Sequence, residues 1–169
     1  MFRIKICGVT TAEDALAVAE AGADAVGLNF YPPSPRWVTP QQAQAIAEAV
    51  RGRLLRVGVM VDPAEEEAVS LASQVGLDLV QLHGNESPAL AARLSERLPL
   101  IKAFRIGPAG LRPVLDYLNE FCRLGGLFQA VLFDAFQPGR LGGIGKTADW
   151  DAIRGYPSEG WHPPVVLAG

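Results

Sequence analysis

Long apolar stretches, cysteine and histidine are all in short supply in this chain. No apolar run reaches the roughly 18 residues that a membrane span needs. The opening residues, Met1-Phe2-Arg3-Ile4-Lys5-Ile6-Cys7, lack the extended apolar core of a signal peptide. A cytoplasmic location is therefore the expectation. The two cysteines, Cys7 and Cys122, match no metal-ligand spacing and suggest no disulfide framework. The two histidines, His83 and His162, are too few for an obvious metal site. Net charge is only −3, which removes any electrostatic case for nucleic acid or an anionic membrane surface. The first strand–helix joint, Cys7-Gly8-Val9-Thr10, lacks the three-glycine spacing of a dinucleotide fold. What is present is ordinary for a soluble globular protein: 169 residues, 49% hydrophobic and 20% charged, enough for one domain with a real core.

The chain reads as strands and helices in turn. Short continuous apolar runs, as expected of parallel strands buried on both faces, occupy Arg3–Cys7, Ala25–Phe30, Leu54–Val61, Leu77–Leu82, Leu100–Phe104, Ala130–Phe133 and Val165–Ala168. Helix start signals fall between them. Thr10 with Glu13 reads as a capping box, and Thr39-Pro40-Gln41-Gln42 as a cap followed by a proline in the first turn. Asp62-Pro63-Ala64-Glu65 repeats that logic, Ser87-Pro88 opens a fourth helix, and Pro108 or a near neighbour opens a fifth that runs to about Leu124. Asp149-Trp150 begins a short sixth. Gly22, Gly52 and Gly76 stand where helices should stop. One joint recurs: Gly22-Ala23-Asp24-Ala25-Val26 matches Gly76-Leu77-Asp78-Leu79-Val80, which argues for equivalent structural units.

Alternation of β and α with short joints leaves a doubly wound open sheet or a closed barrel. Units of similar length and the missing dinucleotide glycines favour the barrel. The expected fold is α/β, a (β/α)8 TIM barrel in one domain over residues 1–169. Such barrels usually need about 200 residues or more. The last strand, Val165–Ala168, has nothing but Gly169 after it, so the barrel reads as truncated after strand seven, short of about one and a half β/α units.

Chemistry in such barrels sits at the C-terminal ends of the strands. The polar residues there are Cys7, Asn29, Asp62, Gln81, His83, Arg105 and Asp134. Cys7 is either a small packed hydrophobe or a base or nucleophile, its thiolate favoured by a helix N-terminus just beyond. Asp134 follows four apolar residues, Ala130-Val131-Leu132-Phe133. It is either a loop-capping hydrogen-bond acceptor or a general acid kept protonated by apolar surroundings. A thiol base and a carboxylic acid on one rim would move a proton onto one atom and off another, which is isomerase chemistry. Arg36 lies in a loop stiffened by Pro32, Pro33 and Pro35, either as a surface cation or as a bidentate anchor for a substrate carboxylate. His83, beside Gly84, reads as structural or as a site residue. The glycine-rich Gly139–Thr147 fails the phosphate-loop spacing, because position 140 is arginine. A mobile cover over the rim is the reading there.

These residues, taken in order, resemble one family. Lys5-Ile6-Cys7-Gly8-Val9-Thr10, Gly22 to Gly27 and on to Phe30-Tyr31-Pro32, Ser34-Pro35-Arg36, Val57-Gly58-Val59, Gln81-Leu82-His83-Gly84, Asp134 and Gly142 to Trp150 are similar to phosphoribosylanthranilate isomerase. The resemblance implies an Amadori rearrangement of N-(5-phosphoribosyl)anthranilate to 1-(2-carboxyphenylamino)-1-deoxyribulose 5-phosphate, a step of tryptophan biosynthesis, with no metal and no cofactor. By the same resemblance, Asp134 is the acid that protonates the ribose ring oxygen and Cys7 the base that takes the C2 proton. Arg36 faces the anthranilate, His83 is a site residue without a defined role, and Gly169 begins the phosphate-binding loop. The expected partner is a small sugar-phosphate substrate, not nucleic acid or membrane; the oligomeric state is open. Two rivals stay in view. One is a non-catalytic fragment or phosphate-ligand binding module on the same architecture. The other is a lysine-based enzyme such as indole-glycerol-phosphate synthase, for which Lys5 and Lys102 are available.

Overall fold

In a computed structural model, residues 2–134, 150–157 and 160–168 are described, without the side chains of residues 150 and 152. They form two compact units, residues 1–82 and 83–169. The Gly139–Thr147 loop and Gly169 lie outside the described residues.

The first unit runs β1 (Lys5–Cys7), α1 (Ala12–Glu20), β2 (Ala25–Asn29), α2 (Pro40–Ala49), β3 (Leu55–Met60), α3 (Glu65–Val75) and β4 (Leu79–Leu82). Its strands are parallel and pair in chain order, with Cys7 beside Gly27, Asn29 beside Val59 and Met60 beside Leu82. A doubly wound sheet would reverse strand order next to β1; sequential parallel pairing is the connectivity of a β/α barrel. The second unit runs α4 (Pro88–Ser95), β5 (Leu100–Arg105), α5 (Arg112–Arg123), β6 (Phe128–Asp134), α6 (Trp150–Ile153) and β7 (Val165–Leu167). Its strands too are parallel and sequential, with Arg105 beside Asp134 and Phe133 beside Leu167.

Most strands are shorter than their apolar runs, while β5 and β6 extend beyond theirs, to Arg105 and over Phe128–Asp134. β1 starts at Lys5 because the Asp24 carboxylate takes the amides of Arg3 and Ile4, at 2.8 and 2.9 Å. β4 starts at Leu79 because the Leu77 amide still closes α3 on the Ala72 carbonyl, at 2.9 Å. The cap expected at Thr10 sits one residue on: the Thr11 hydroxyl accepts the Asp14 amide at 3.1 Å. The N-cap position of α3 falls at Ala64, two residues beyond Asp62, which adopts a left-handed conformation (φ 47°); the Ala64 amide donates to the Glu67 carboxylate at 3.4 Å. The fifth helix begins at Arg112, not near Pro108, because Gly110 closes a turn on Gly107 first. Thr39 and Ser87 cap as expected, accepting the amides of Gln42 and Leu90 at 3.2 Å each.

The core of the first unit packs Val26 and Leu28 of β2 against Ala43, Ile46 and Ala47 of α2. The second unit is held by aromatic rings. Phe121 stacks on Phe128 with centroids 3.8 Å apart, and Phe133 meets Tyr156 edge-on at 5.3 Å. Gly126 makes the first stack possible, since a Cβ there would run into the Phe121 ring. No helix among the described residues is long and apolar enough to cross a membrane.

Candidate active site

In the first unit, Cys7 is the last residue of β1 and is exposed, so it is not the packed hydrophobe that its type alone allows. Its sulfur lies over Gly27 of β2, 2.8 Å from where a Cβ would stand, and Lys5 Nζ is 3.2 Å from the same point. Only glycine leaves room there for both groups. Gly8, next in sequence, turns the chain out of the strand with φ +82° and carries the aliphatic stem of Arg36: a Cβ at Gly8 would overlap Arg36 Cδ. The sequence signal for Gly8 was simply a glycine after a strand-ending residue.

The loop that carries Arg36 is ordered by more than its prolines. Asn29, the last residue of β2, accepts the Tyr31 amide at 2.9 Å and donates to Ser34 Oγ at 3.1 Å. Ser34 Oγ in turn accepts the Arg36 amide at 3.1 Å. Asn29 is therefore the support of the loop. The Arg36 head is exposed, its stem pinned to Gly8. Arg36 and the Cys7-Gly8 corner are thus brought together within this unit.

In the second unit, Asp134 closes β6 and is only 8% exposed. Its Oδ2 lies 3.3 Å from Nε2 of the half-buried His83. The structure therefore joins two residues that stand far apart in sequence. The segment after His83 is tied down from several sides. Gly84 N–H donates to Glu86 Oε1 at 3.0 Å, and Lys102 Nζ donates to the Gly84 carbonyl at 3.0 Å. Lys102 also donates to the Ala103 carbonyl at 2.9 Å and pairs with Glu86 Oε2 at 3.0 Å. Tyr117 on α5 donates to the Glu86 carbonyl at 3.0 Å, and burial together with the Glu86 charge pushes its phenol well above the usual range. Glu86 was not foreseen as part of this region. The available signal was Lys102, one charge inside the apolar run Leu100-Ile101-Lys102-Ala103-Phe104. With two hydrogen bonds and a buried ion pair, Lys102 is not the free amine that a lysine-based mechanism needs.

Parallel strands paired in chain order and alternating with helices in each unit define a protein of the β/α-barrel class. The family model for N-(5'phosphoribosyl)anthranilate (PRA) isomerase matches residues 4–169. An N-(5'-phosphoribosyl)anthranilate isomerase of Azotobacter vinelandii is 42% identical over 168 residues, covering 99% of this chain and 75% of that protein. The crystal structure of the Thermotoga maritima phosphoribosyl anthranilate isomerase superposes with a TM-score of 0.83 at 40% identity, over 100% of this chain and 77% of that one. A second crystal structure, of the isomerase in complex with reduced 1-(o-carboxyphenylamino)-1-deoxyribulose 5-phosphate, gives 0.78 at 36% identity, over 99% of this chain and 75% of that one. The chain belongs to the N-(5'-phosphoribosyl)anthranilate isomerase family, and its fold is that family's (β/α)8 barrel class. It is accordingly an isomerase of tryptophan biosynthesis, and a non-catalytic binding module is not favoured.

Proposed function

We propose that the Amadori rearrangement of N-(5-phosphoribosyl)anthranilate runs in this chain with Asp134 as general acid and Cys7 as general base. The reaction needs a proton delivered to the ribose ring oxygen, which breaks the C1–O bond and leaves a protonated Schiff base at C1. A base then removes the proton on C2, and the resulting enolamine tautomerises to the 2-ketose. Every bond change is a proton transfer or an electron-pair shift, so no cofactor enters.

The observation that carries the reading is the Asp134–His83 pair. Asp134 stands at the end of its strand, 8% exposed and 3.3 Å from the His83 ring, a placement that suits proton transfer to a bound sugar. His83 Nε2 lies 3.3 Å from Oδ2, close enough to orient the carboxyl group. Cys7 suits the base because a thiolate is a compact, exposed nucleophilic atom at the mouth of its strand. Arg36 suits the anthranilate carboxylate, because its stem is immobilised on Gly8 and its planar head presents paired donors. Gly169 is assigned to the substrate phosphate on the family resemblance alone. A metabolic step on a free phosphorylated intermediate fits a cytoplasmic enzyme.

The test is turnover of the full-length protein, followed by loss of the anthranilate-type fluorescence of the substrate. Asp134→Asn and Cys7→Ser should each lower kcat by at least about 100-fold, the usual effect of removing a general acid or base. Near-normal turnover in either variant would contradict the role given to that residue.

A further inference from the structure

A buried ion pair is a poor device for stability. Desolvating two charges costs about as much as their attraction returns, and well-packed apolar residues often do as well. Lys102 and Glu86 nevertheless form such a pair, 2% and 3% exposed and 3.0 Å apart. Its geometry points to a different use. Glu86 Oε1 holds the N–H of Gly84, and Lys102 Nζ holds the carbonyl of the same residue. The two charges therefore grip one residue at both of its backbone polar groups. Tyr117 fixes the far side of the segment through the Glu86 carbonyl. The Gly84 N–H that Glu86 holds lies in the peptide plane joining His83 to Gly84, and the Gly84 carbonyl that Lys102 holds lies in the next plane, so together they fix the turn from which the His83 imidazole leaves the backbone.

We infer that the Glu86–Lys102 pair is a positioning device for His83, and through His83 for the Asp134 carboxyl group. The last step rests on the reading of Asp134 as the acid; the first does not. An acid misplaced by about 1 Å loses roughly two orders of magnitude in rate, so even partial slackening of the segment is measurable.

Removing Lys102 alone would strand a buried carboxylate, so the informative variant neutralises both partners at once, Glu86→Gln with Lys102→Met. Tyr117→Phe is the milder companion, leaving both charges in place. The chain has only two histidines, which makes ring nitrogen–proton NMR correlation spectra simple to assign, with His162 as an internal control. In the double variant the His83 ring signals should shift or broaden while those of His162 stay put. There kcat should fall about tenfold with KM changed by less than about twofold. Tyr117→Phe should move the same quantities in the same direction, by less. A folded double variant with unmoved His83 signals overturns the inference, whether or not kcat falls. His83→Asn separates the two readings: unchanged kcat in that variant removes His83 from the chemistry, while the ring signals in the other variants still report whether the pair positions it.

Discussion

Gly27→Ala tests the base directly, without touching Cys7. The added Cβ would stand 2.8 Å from Cys7 Sγ, whereas ordinary contact begins at 3.4 Å, so the sulfur must retreat by about 0.6 Å. It cannot retreat by pivoting alone, because Cys7 Cα is itself 3.1 Å from the new atom. Lys5 Nζ, at 3.2 Å, is the end of a flexible chain and yields at little cost. If a displacement of about 1 Å costs roughly 100-fold, this one costs on the order of tenfold in kcat. KM should change little, since the anchor loop of Arg36 is not moved. Stability should change modestly: crowding costs about 1–3 kcal/mol, and replacing glycine within a strand returns about 0.5–1 kcal/mol. Fluorescence-based steady-state kinetics and a thermal melt on the same preparation separate the two effects. A folded variant whose kcat stays within about twofold of the parent would mean that the position of the thiol does not matter, and the base assignment would fall with it.

Arg36→Ala should raise KM by about tenfold or more, the worth of a charge-assisted contact, and leave kcat within about threefold; unchanged KM rules out the anchor. Gly8→Ala should reproduce part of that rise through a different route, because its Cβ would overlap Arg36 Cδ. It should also lose about 1–2 kcal/mol in denaturant unfolding from the left-handed backbone at φ +82°, and a neutral result would show that Gly8 is not the seat of the arginine.

The barrel class was legible because buried parallel strands write themselves as unbroken apolar runs, and because helices between them carry caps such as Thr39 and Ser87. The strand-ending positions of Cys7 and Asp134 were legible for the same reason: each follows directly on its run. The choice between Thr10 and Thr11 was not, since two adjacent threonines face two adjacent acids, Glu13 and Asp14, and only the exit of the chain from β1 decides. Nor was the pairing of His83 with Asp134, which depends on β6 delivering its last residue to the segment after β4. The Glu86–Lys102 grip was hidden more deeply. A glutamate just before the cap Ser87 reads as a solvated turn residue, and nothing local says that its oxygens are turned inward onto Gly84. The Gly22 and Gly76 joints, in contrast, were recognisable as repeats, but their purpose was not.

That purpose lies in the aspartates. Asp24 accepts the amides of Arg3 and Ile4, where β1 begins, and Asp78 accepts the Arg56 amide at 2.7 Å near the start of β3. Each aspartate therefore ties the root of an earlier strand to the joint that follows a later helix. Asp78 adds a fork to the Arg56 guanidinium, Nε to Oδ2 and Nη2 to Oδ1, both at 2.8 Å. The side-chain hydrogen bonds from Arg56, with its backbone amide and its charge, hold the Asp78 carboxyl below the usual carboxylate range against the opposing effect of burial. A carboxyl depressed in the folded state stabilises it above the unfolded value of about 3.9, and that contribution fades as pH falls through the lower, folded value. Asp78→Asn should therefore be less stable than the parent by about 1 kcal/mol at pH 7, a figure kept small because the pair is partly exposed. In urea titrations the gap should hold from pH 7 to about pH 5 and close progressively below about pH 4. A gap that stays constant down to pH 2.5 would mean that the carboxylate's charge contributes nothing. The repeated joint would then be a matter of shape, the Asp78 side chain fitting the turn better than asparagine whatever its charge.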